Sequence, residues 1–432
     1  MLAISRRRVE LAGVFSIRPT LDVSWRRWLA IAGVGTLGCE RPTAPVALVY
    51  ADRPVLVPGY SEGWRSVSAG GSHTCGVRLD GRLYCWGSNA SGQLGVGRAR
   101  GQCFRTPESC EASPRAVAIA ERVSQVSAGE RHTCAVSESL TLFCWGENVY
   151  FQTGVEALTY VVTPTAVLSA ARFAQVSAGS THSCAVRTNG VVYCWGEGRL
   201  GALGRGDTVS SVIPQPIASD ERFEQVSAGR WRSCAVRTDG ALWCWGAEWE
   251  SSQASTDYFH ERLLPHRVDG APPMRSVSVA GSSICGVSFD DRVFCWESNV
   301  FGQLGTGTTE GTALPARVLA HEPMPLVSAG AIQTCGLTAT GQALCWGNDT
   351  FGQLGIPRTG ERCGVLECKR VPAAVFGGLR FATVSTGSGV HSCGVTTTSA
   401  LVCWGLGNDG QLGDGWTRDR QSLPVGVLAP SP

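Results

Sequence analysis

Seven pairs of cysteines, each pair separated by nine residues, are the side chains of this sequence whose type and spacing most plainly imply chemistry. They are Cys75/Cys85, Cys134/Cys144, Cys184/Cys194, Cys234/Cys244, Cys285/Cys295, Cys335/Cys345 and Cys393/Cys403. Paired thiols either hold a metal or oxidise to a disulfide. Structural zinc sites place their paired cysteines two to four residues apart, and seven repeats would need a metal in each, so the pairs read as disulfides. His73, His132, His182 and His391 stand two residues before the first cysteine of a pair, where Arg232, Ser283 and Gln333 stand in the other units. Equivalent positions of a repeat array are spread apart and do not converge on one ion. These histidines are therefore expected to make structural hydrogen bonds, and no metal or cofactor is expected.

The rest of the sequence offers no reaction. It contains no Gly-x-Ser-x-Gly elbow, no His-Glu-x-x-His helix and no phosphate loop, and its carboxylates show no recurrent pairing. Two stretches fit the glycine pattern of dinucleotide-binding proteins, Gly33–Gly38 and Gly196–Gly201, but neither sits in a βαβ unit, which that chemistry requires. The chain is not expected to be an enzyme. Its 37 basic and 35 acidic side chains leave a net charge of +2 and are scattered rather than blocked, so nothing favours a nucleic-acid partner. Nineteen cysteines point to an oxidising compartment, where disulfides form and persist.

The elements that position the cysteines follow from a repeat. Successive first cysteines lie 59, 50, 50, 51, 50 and 58 residues apart, and a period near 50 indicates a propeller or related array. The frame runs Val176-Ser177-Ala178-Gly179, then His182-Ser183-Cys184, then Cys194-Trp195-Gly196. A Gly-Gln-Leu-Gly turn follows in four units, at Gly92–Gly95, Gly302–Gly305, Gly352–Gly355 and Gly410–Gly413. A proline-led strand ends each unit, at Pro114, Pro164, Pro214, Pro265, Pro315, Pro372 and Pro424. Glycine, at 54 of 432 residues, far exceeds its average of about 7%, as many tight turns require. This glycine-rich frame, from about Trp64 to Leu428, resembles the repeats of the regulator of chromosome condensation. The resemblance implies an all-β, seven-bladed β-propeller. Each unit is a small sheet, apolar on both faces and stable only between neighbours. One tryptophan per unit (Trp86, Trp145, Trp195, Trp245, Trp296, Trp346 and Trp404) supplies that packing. No proline-led strand precedes the first unit, so the C-terminal strand is expected to cross the seam, complete the first blade and close the ring.

Hairpin geometry places the thiols. A three-residue loop centred on Asp80 sets Arg78 opposite Arg82 and hence Cys75 opposite Cys85. Such loops end in a residue of positive φ, and Gly81, Gly190, Gly240 and Gly341 fall at that position. Directly opposed residues have Cβ atoms about 4.5–5.5 Å apart, so slight local compression permits a bridge. Five cysteines remain. Cys103 and Cys110 pair within an insert of the first unit, Cys363 and Cys368 within one of the sixth, and Cys39 is left alone.

Cys39 ends an export signal. Arg26 and Arg27 precede an uncharged run from Trp28 to Gly38, too short to span a bilayer but suited to a signal peptide. Thr36-Leu37-Gly38-Cys39 resembles the lipobox of bacterial lipoproteins, although leucine is usual at the place of Thr36 and a small residue at that of Leu37. The resemblance implies that Cys39 is lipidated and becomes the mature N-terminus. The alternative is an ordinary signal peptide that leaves Cys39 as a lone thiol. Ser5-Arg6-Arg7 also hints at twin-arginine export, and translation beginning nearer Val23 would give a signal of ordinary length. Residues 1–39 are thus assigned to the signal, 40–63 to a tether and 64–432 to the propeller.

Function is sought where units depart from the frame. Gly97–Ser113 and Ile356–Arg370 lengthen the same connection, and in the fourth unit Ala247–Leu264 replaces the glycine turn. All three segments are expected on one rim, with Trp249, Tyr258 and Phe259 as candidate binding residues. The expected function is that of a cell-envelope binding or scaffold protein engaging a protein or a cell-surface polymer, monomeric and touching the membrane only through its lipid anchor. Two alternatives come from the resemblance. One is nucleotide exchange on a small GTPase, known for eukaryotic members but opposed by export. The other is inhibition of an extracellular enzyme, since a bacterial β-lactamase inhibitor resembles the same propeller.

Overall fold

In six of the seven units the first strand carries buried residues at its first, fourth and sixth positions, as in Phe173–Ala178 and Phe223–Ala228. Strict alternation cannot bury positions one and four together. A register shift between the first and third residues resets it, for example between Phe223 and Gln225, as a bulge does. The second strand, exemplified by His132–Ser137, is buried along its whole length, because a neighbouring blade covers each face of the sheet.

The computed structural model describes residues 61–97, 109–156, 159–168, 170–249 and 259–430. The chain divides into Met1–Tyr50 and Ala51–Pro432, and all described residues lie in the second unit. The expected signal, Cys39 and all of the tether before Ser61 lie outside them. Among the described residues no helix is long and apolar enough to cross a membrane.

The fold is the expected all-β propeller of seven blades, each an antiparallel sheet of consecutive strands. The first blade contains Trp64–Ala69, His73–Arg78, Leu83–Ser88 and Cys110–Ala116. The fourth contains Phe223–Ala228, Arg232–Arg237, Leu242–Trp249 and Phe259–Arg267, and the fifth Met274–Val279, Ser283–Ser288, Val293–Glu297 and Thr312–Arg317. The sixth adds a two-residue strand, Arg362–Cys363, to its edge. The repeating prolines lie in the fourth of each blade's four long strands, on its outer side, where a missing N–H costs no ladder bond.

First strands ring a central channel lined by Ser68, Ser127, Ser177, Ser227, Ser278 and Ser328. Each serine accepts the main-chain N–H of the next blade: Ala128 to Ser68, Ala178 to Ser127, Ala228 to Ser177 and Val279 to Ser227, all at 2.9 Å. Ala329 to Ser278, Thr386 to Ser328 and Ala69 to Ser385 complete the circuit at 2.9, 3.0 and 3.0 Å. Such close approach demands glycine beside it, since a Cβ on Gly129 would stand 2.5 Å from the Gly179 carbonyl oxygen.

Closure corrects one expectation. The C-terminal strand Arg418–Gly426 pairs with Leu401–Gly407 in its own seventh blade and does not enter the first. The first blade already has its fourth strand in Cys110–Ala116, paired with Leu83–Ser88. Packing of last blade on first closes the ring, with the Trp64 N–H bonding to Ser399 O at 3.0 Å and that of Ser61 to Val427 O at 3.1 Å.

Candidate functional site

Because each blade is ordered one to four and antiparallel, its 1–2 and 3–4 connections emerge on one face of the ring. Its 2–3 hairpins and the links to the next blade emerge on the other. The turn face therefore carries the glycine turns, the Ile356–Arg370 insert and the end of the fourth blade's last hairpin.

A common set of contacts joins neighbouring blades near this face. The buried histidine bonds to a hydroxyl of the next blade: His73 Nε2 to Thr133 Oγ1, His132 to Ser183 and His182 to Ser233 at 2.8 Å, and His391 to Thr74 at 2.9 Å. That hydroxyl donates to a carbonyl in the preceding blade's glycine turn, as Thr133 does to Gln93 O and Ser183 to Gln152 O, both at 2.8 Å. The tryptophan of the same blade donates its Nε1–H to the same oxygen, Trp145 to Gln93 at 2.9 Å and Trp195 to Gln152 at 3.0 Å. The arrangement recurs with Trp245 on Ala202 O, Trp346 on Gln303 O, Trp404 on Gln353 O and Trp86 on Gln411 O. Next to the tryptophan a glycine adopts φ near +100°, as at Gly146 and Gly196, a conformation that disfavours side chains. Burial removes imidazolium hydration. It pushes His73 and His132 down to about 3 and His182 and His391 to about 4, with neighbouring histidines adding to the effect at His73 and His132. The histidines are neutral structural donors or acceptors.

Between the fourth and fifth blades this set is replaced in four places. Arg232 stands where a histidine bonds elsewhere, Ile284 where its hydroxyl partner would be, and Glu297 where the glycine follows the tryptophan. Glu297 keeps the left-handed backbone, φ +83°, which costs a non-glycine residue about 1–3 kcal/mol. The fourth change is the missing glycine turn, in whose place the strands continue as far as Trp249 and Phe259, which oppose each other in register. Arg232 and Glu297 form a buried ion pair. A cavity of about 190 Å³ lies beside them, bounded by Glu248, Arg262, His266, Ile284 and Trp296.

The electrostatics of this cavity are balanced. Burial draws the Arg232 guanidinium below the usual arginine range, against the opposing pull of the Glu248 carboxylate. Burial would raise Glu248, but its hydrogen bond from Arg262 and the nearby positive charges hold it below the ordinary carboxyl range. His266 is lowered by burial, although Glu248 lies 3.7 Å away. One nitrogen of Arg232, Nη2, is buried without a hydrogen-bond partner, as are the Nδ1 atoms of His73, His132, His182 and His391 at regular junctions.

Trp249 and Phe259 are thus placed opposite each other at the end of the fourth blade's last hairpin, whereas Tyr258 lies outside the described residues. Sequence reasoning missed Glu297, although Cys295-Trp296-Glu297 breaks a Cys-Trp-Gly pattern kept in the other six units. It recorded Arg232 only as a gap among the histidines.

The cysteines of the seven repeats are joined as their spacing implies, each bridge linking the second and third strands of a single blade. Cys75–Cys85 has an S–S distance of 2.08 Å, Cys134–Cys144 of 2.13 Å, and Cys184–Cys194 and Cys234–Cys244 of 2.10 Å. Cys285–Cys295 is joined at 2.11 Å, Cys335–Cys345 at 2.07 Å and Cys393–Cys403 at 2.12 Å. In each hairpin the two cysteines are direct register partners, as at Cys134 and Cys144, Cys335 and Cys345, and Cys393 and Cys403. The strands are drawn together at the bridge. Cα atoms stand 4.1 Å apart at Cys134–Cys144 and Cys335–Cys345 and 4.0 Å apart at Cys393–Cys403, below the roughly 4.5 Å of an ordinary non-hydrogen-bonded pair.

The inserts carry their own cysteines. Cys363 and Cys368 are joined at 2.07 Å. Cys110 is disulfide-bonded, and Cys103 lies outside the described residues. Among the described residues no three His, Cys, Asp or Glu side chains are grouped to hold a metal.

Known proteins share this repeat. A family model described as the regulator of chromosome condensation (RCC1) repeat matches residues 80–136, 141–186 and 189–236. A second model of the same description matches 64–93, 123–152, 173–202 and 327–353. The ultraviolet-B receptor UVR8 of Arabidopsis thaliana is 39% identical over 93 residues, 21% of this chain and 19% of the receptor. The regulator of chromosome condensation of Mus musculus is 34% identical over 113 residues, 26% of this chain and 24% of that protein. The matches therefore span a quarter or less of these curated relatives. Among solved structures, Prp20p of Saccharomyces cerevisiae, characterised for its binding to Gsp1p and histones, is 18% identical with a TM-score of 0.69, covering 88% of each chain. Human WBSCR16 is 21% identical with a TM-score of 0.68, covering 81% of this chain and 94% of its own. At these identities the structures share the fold.

Proposed function

Because this chain carries repeats of the regulator of chromosome condensation type, we propose that it is a binding propeller, which engages a partner protein through its turn face at the junction of the fourth and fifth blades. The observation that carries this reading is the departure of one junction from the frame in four places, including a buried glutamate on left-handed backbone, whereas the two junctions that follow it, at Ser283 and Gln333, change only the histidine. Backbone strain persists only where the surrounding structure holds it, and it clusters at functional positions. Proteins are the kind of ligand bound by similar propellers, Prp20p binding Gsp1p and histones. The disulfides in every blade favour an oxidising compartment, so the partner is sought in the cell envelope, with Cys39 as the lipid anchor. This setting disfavours exchange on a cytosolic GTPase.

The test compares two faces. Changing Trp249, Tyr258 and Phe259 to alanine should abolish capture of the partner retained from an envelope extract, because buried interface aromatics contribute about 2 kcal/mol or more each on truncation. Thermal stability should stay nearly unchanged. Leu79, Phe289 and Leu319, exposed on the hairpin face, supply the matched control. Equal capture by both variants would remove the turn face from the reading.

A further inference from the structure

The cavity between the fourth and fifth blades has six intramolecular counterparts, each filled by a glycine turn of the chain itself. In each, a turn carbonyl accepts the next blade's tryptophan Nε1–H, as Gln303 O does from Trp346 at 2.9 Å. In five of them the turn's next residue is a leucine with no exposed surface: Leu94, Leu203, Leu304, Leu354 and Leu412. A turn that fits is thus a carbonyl followed by a branched apolar side chain.

At the exceptional junction the sequence of the fourth unit lacks that turn. Trp296 and Ile284 line the cavity, and among the described residues no acceptor meets Trp296 Nε1. Ile284 cannot supply the hydroxyl that elsewhere shares the carbonyl, so Trp296 Nε1 is the donor left for it. Three positive residues, Arg232, Arg262 and Arg267, face three negative ones, Glu248, Asp269 and Glu297. Glu297 is paired with Arg232 and Glu248 with Arg262. The cavity therefore calls for a neutral acceptor rather than an anion. Its 190 Å³ exceeds the roughly 150 Å³ that admits a benzene ring in an apolar core, enough for an aliphatic side chain.

We infer that this cavity receives a leucine-bearing turn of the partner protein, whose main-chain carbonyl accepts from Trp296 Nε1 while its leucine enters the cavity. The partner thereby completes the seventh copy of a contact that the chain makes with itself six times. This inference rests on the turn-face reading proposed above and specifies what the partner presents.

The experiment uses the full oxidised chain and a cyclic peptide carrying the fifth unit's own turn, Asn299 to Thr306. Trp296→Phe keeps the ring, removes the donor and assigns the Trp296 indole N–H resonance by its disappearance. Titration with the peptide should shift that resonance and leave the satisfied indoles of Trp145, Trp195 and Trp346 in place. A peptide with aspartate at the leucine should bind at least about tenfold more weakly. By calorimetry, Trp296→Phe should weaken the parent peptide about tenfold, the effect of one hydrogen bond. An unshifted resonance, or equal response to both peptides, overturns the inference. So does movement of the resonance, without peptide, when Glu250–Tyr258 is replaced by a Gly/Ser linker, since the chain would then fill its own cavity. If the triple-alanine variant loses partner capture while Trp296→Phe alters neither capture nor peptide affinity, the turn face still binds and the leucine-turn inference falls.

Discussion

The junction between the third and fourth blades and the one between the fourth and fifth are built from the same repeat and end in opposite conditions. At the first, His182 meets Ser233 at 2.8 Å, Trp245 donates to Ala202 O at 3.0 Å, and glycine takes the left-handed position at Gly246. The histidine, hydroxyl, indole and carbonyl that bond there are all neutral, and the turn supplies the carbonyl. At the second, an ion pair replaces the neutral bond, isoleucine replaces the hydroxyl, and a glutamate occupies backbone that suits glycine. Meanwhile the serine circuit around the channel passes through both junctions without a break, Ala228 on Ser177 and Val279 on Ser227 each at 2.9 Å. The inner circuit holds the ring shut, which frees an outer junction to depart from the frame.

The largest effect that separates the two is that of acid. Four buried histidines serve the regular junctions and none serves the exceptional one. Their folded-state values of about 3 to 4 lie below the ordinary 6.5, so the unfolded chain takes up protons first. Their contribution is complete above about pH 6.5 and is lost as the pH falls towards 3, by up to about 1.4 kcal/mol per histidine per pH unit. Urea midpoints measured from pH 7 to 4 should fall steeply, and His182→Gln should flatten that fall. An unchanged slope would mean that His182 is not neutral and buried in solution.

Next in size is the buried pair. Glu297→Ala strands the Arg232 charge and should cost about 3–5 kcal/mol. Restoring the frame with Arg232→His, Ile284→Ser and Glu297→Gly together should recover most of that loss, and the glycine also relieves the left-handed strain. Denaturation curves of the two variants decide the matter. A restored variant no more stable than Glu297→Ala would show that the departure is not local.

The smallest effect is the most discriminating. Trp245→Phe removes a bonded indole N–H and should cost about 1 kcal/mol, whereas Trp296→Phe removes one that meets no acceptor among the described residues and should leave stability nearly unchanged. Equal losses, measured by thermal unfolding, would erase the distinction between the junctions.

By itself the sequence determined the class of fold and the number of blades, since both are written in short-range, sevenfold patterns. The nine-residue cysteine spacing fixes hairpin register locally, because residues equidistant from a three-residue loop must oppose each other, as Cys134 and Cys144 do. Gly81, Gly190, Gly240 and Gly341 likewise take φ near +80° as their loop positions require. Where the C-terminal strand pairs was decided only by the tertiary structure, because closing a ring is a long-range choice between two edges with similar strand patterns. The site was half legible. Trp249 and Phe259 stood out as additions to the frame, and their register against each other follows from the extended hairpin. Glu297 and Arg232 lie 65 residues apart in sequence and belong to different blades, so each reads alone as a missing glycine or a missing histidine. Only the stacking of one blade on the next turns those two absences into one buried pair beside a cavity, because inter-blade contacts are set by packing rather than by the pattern within any repeat.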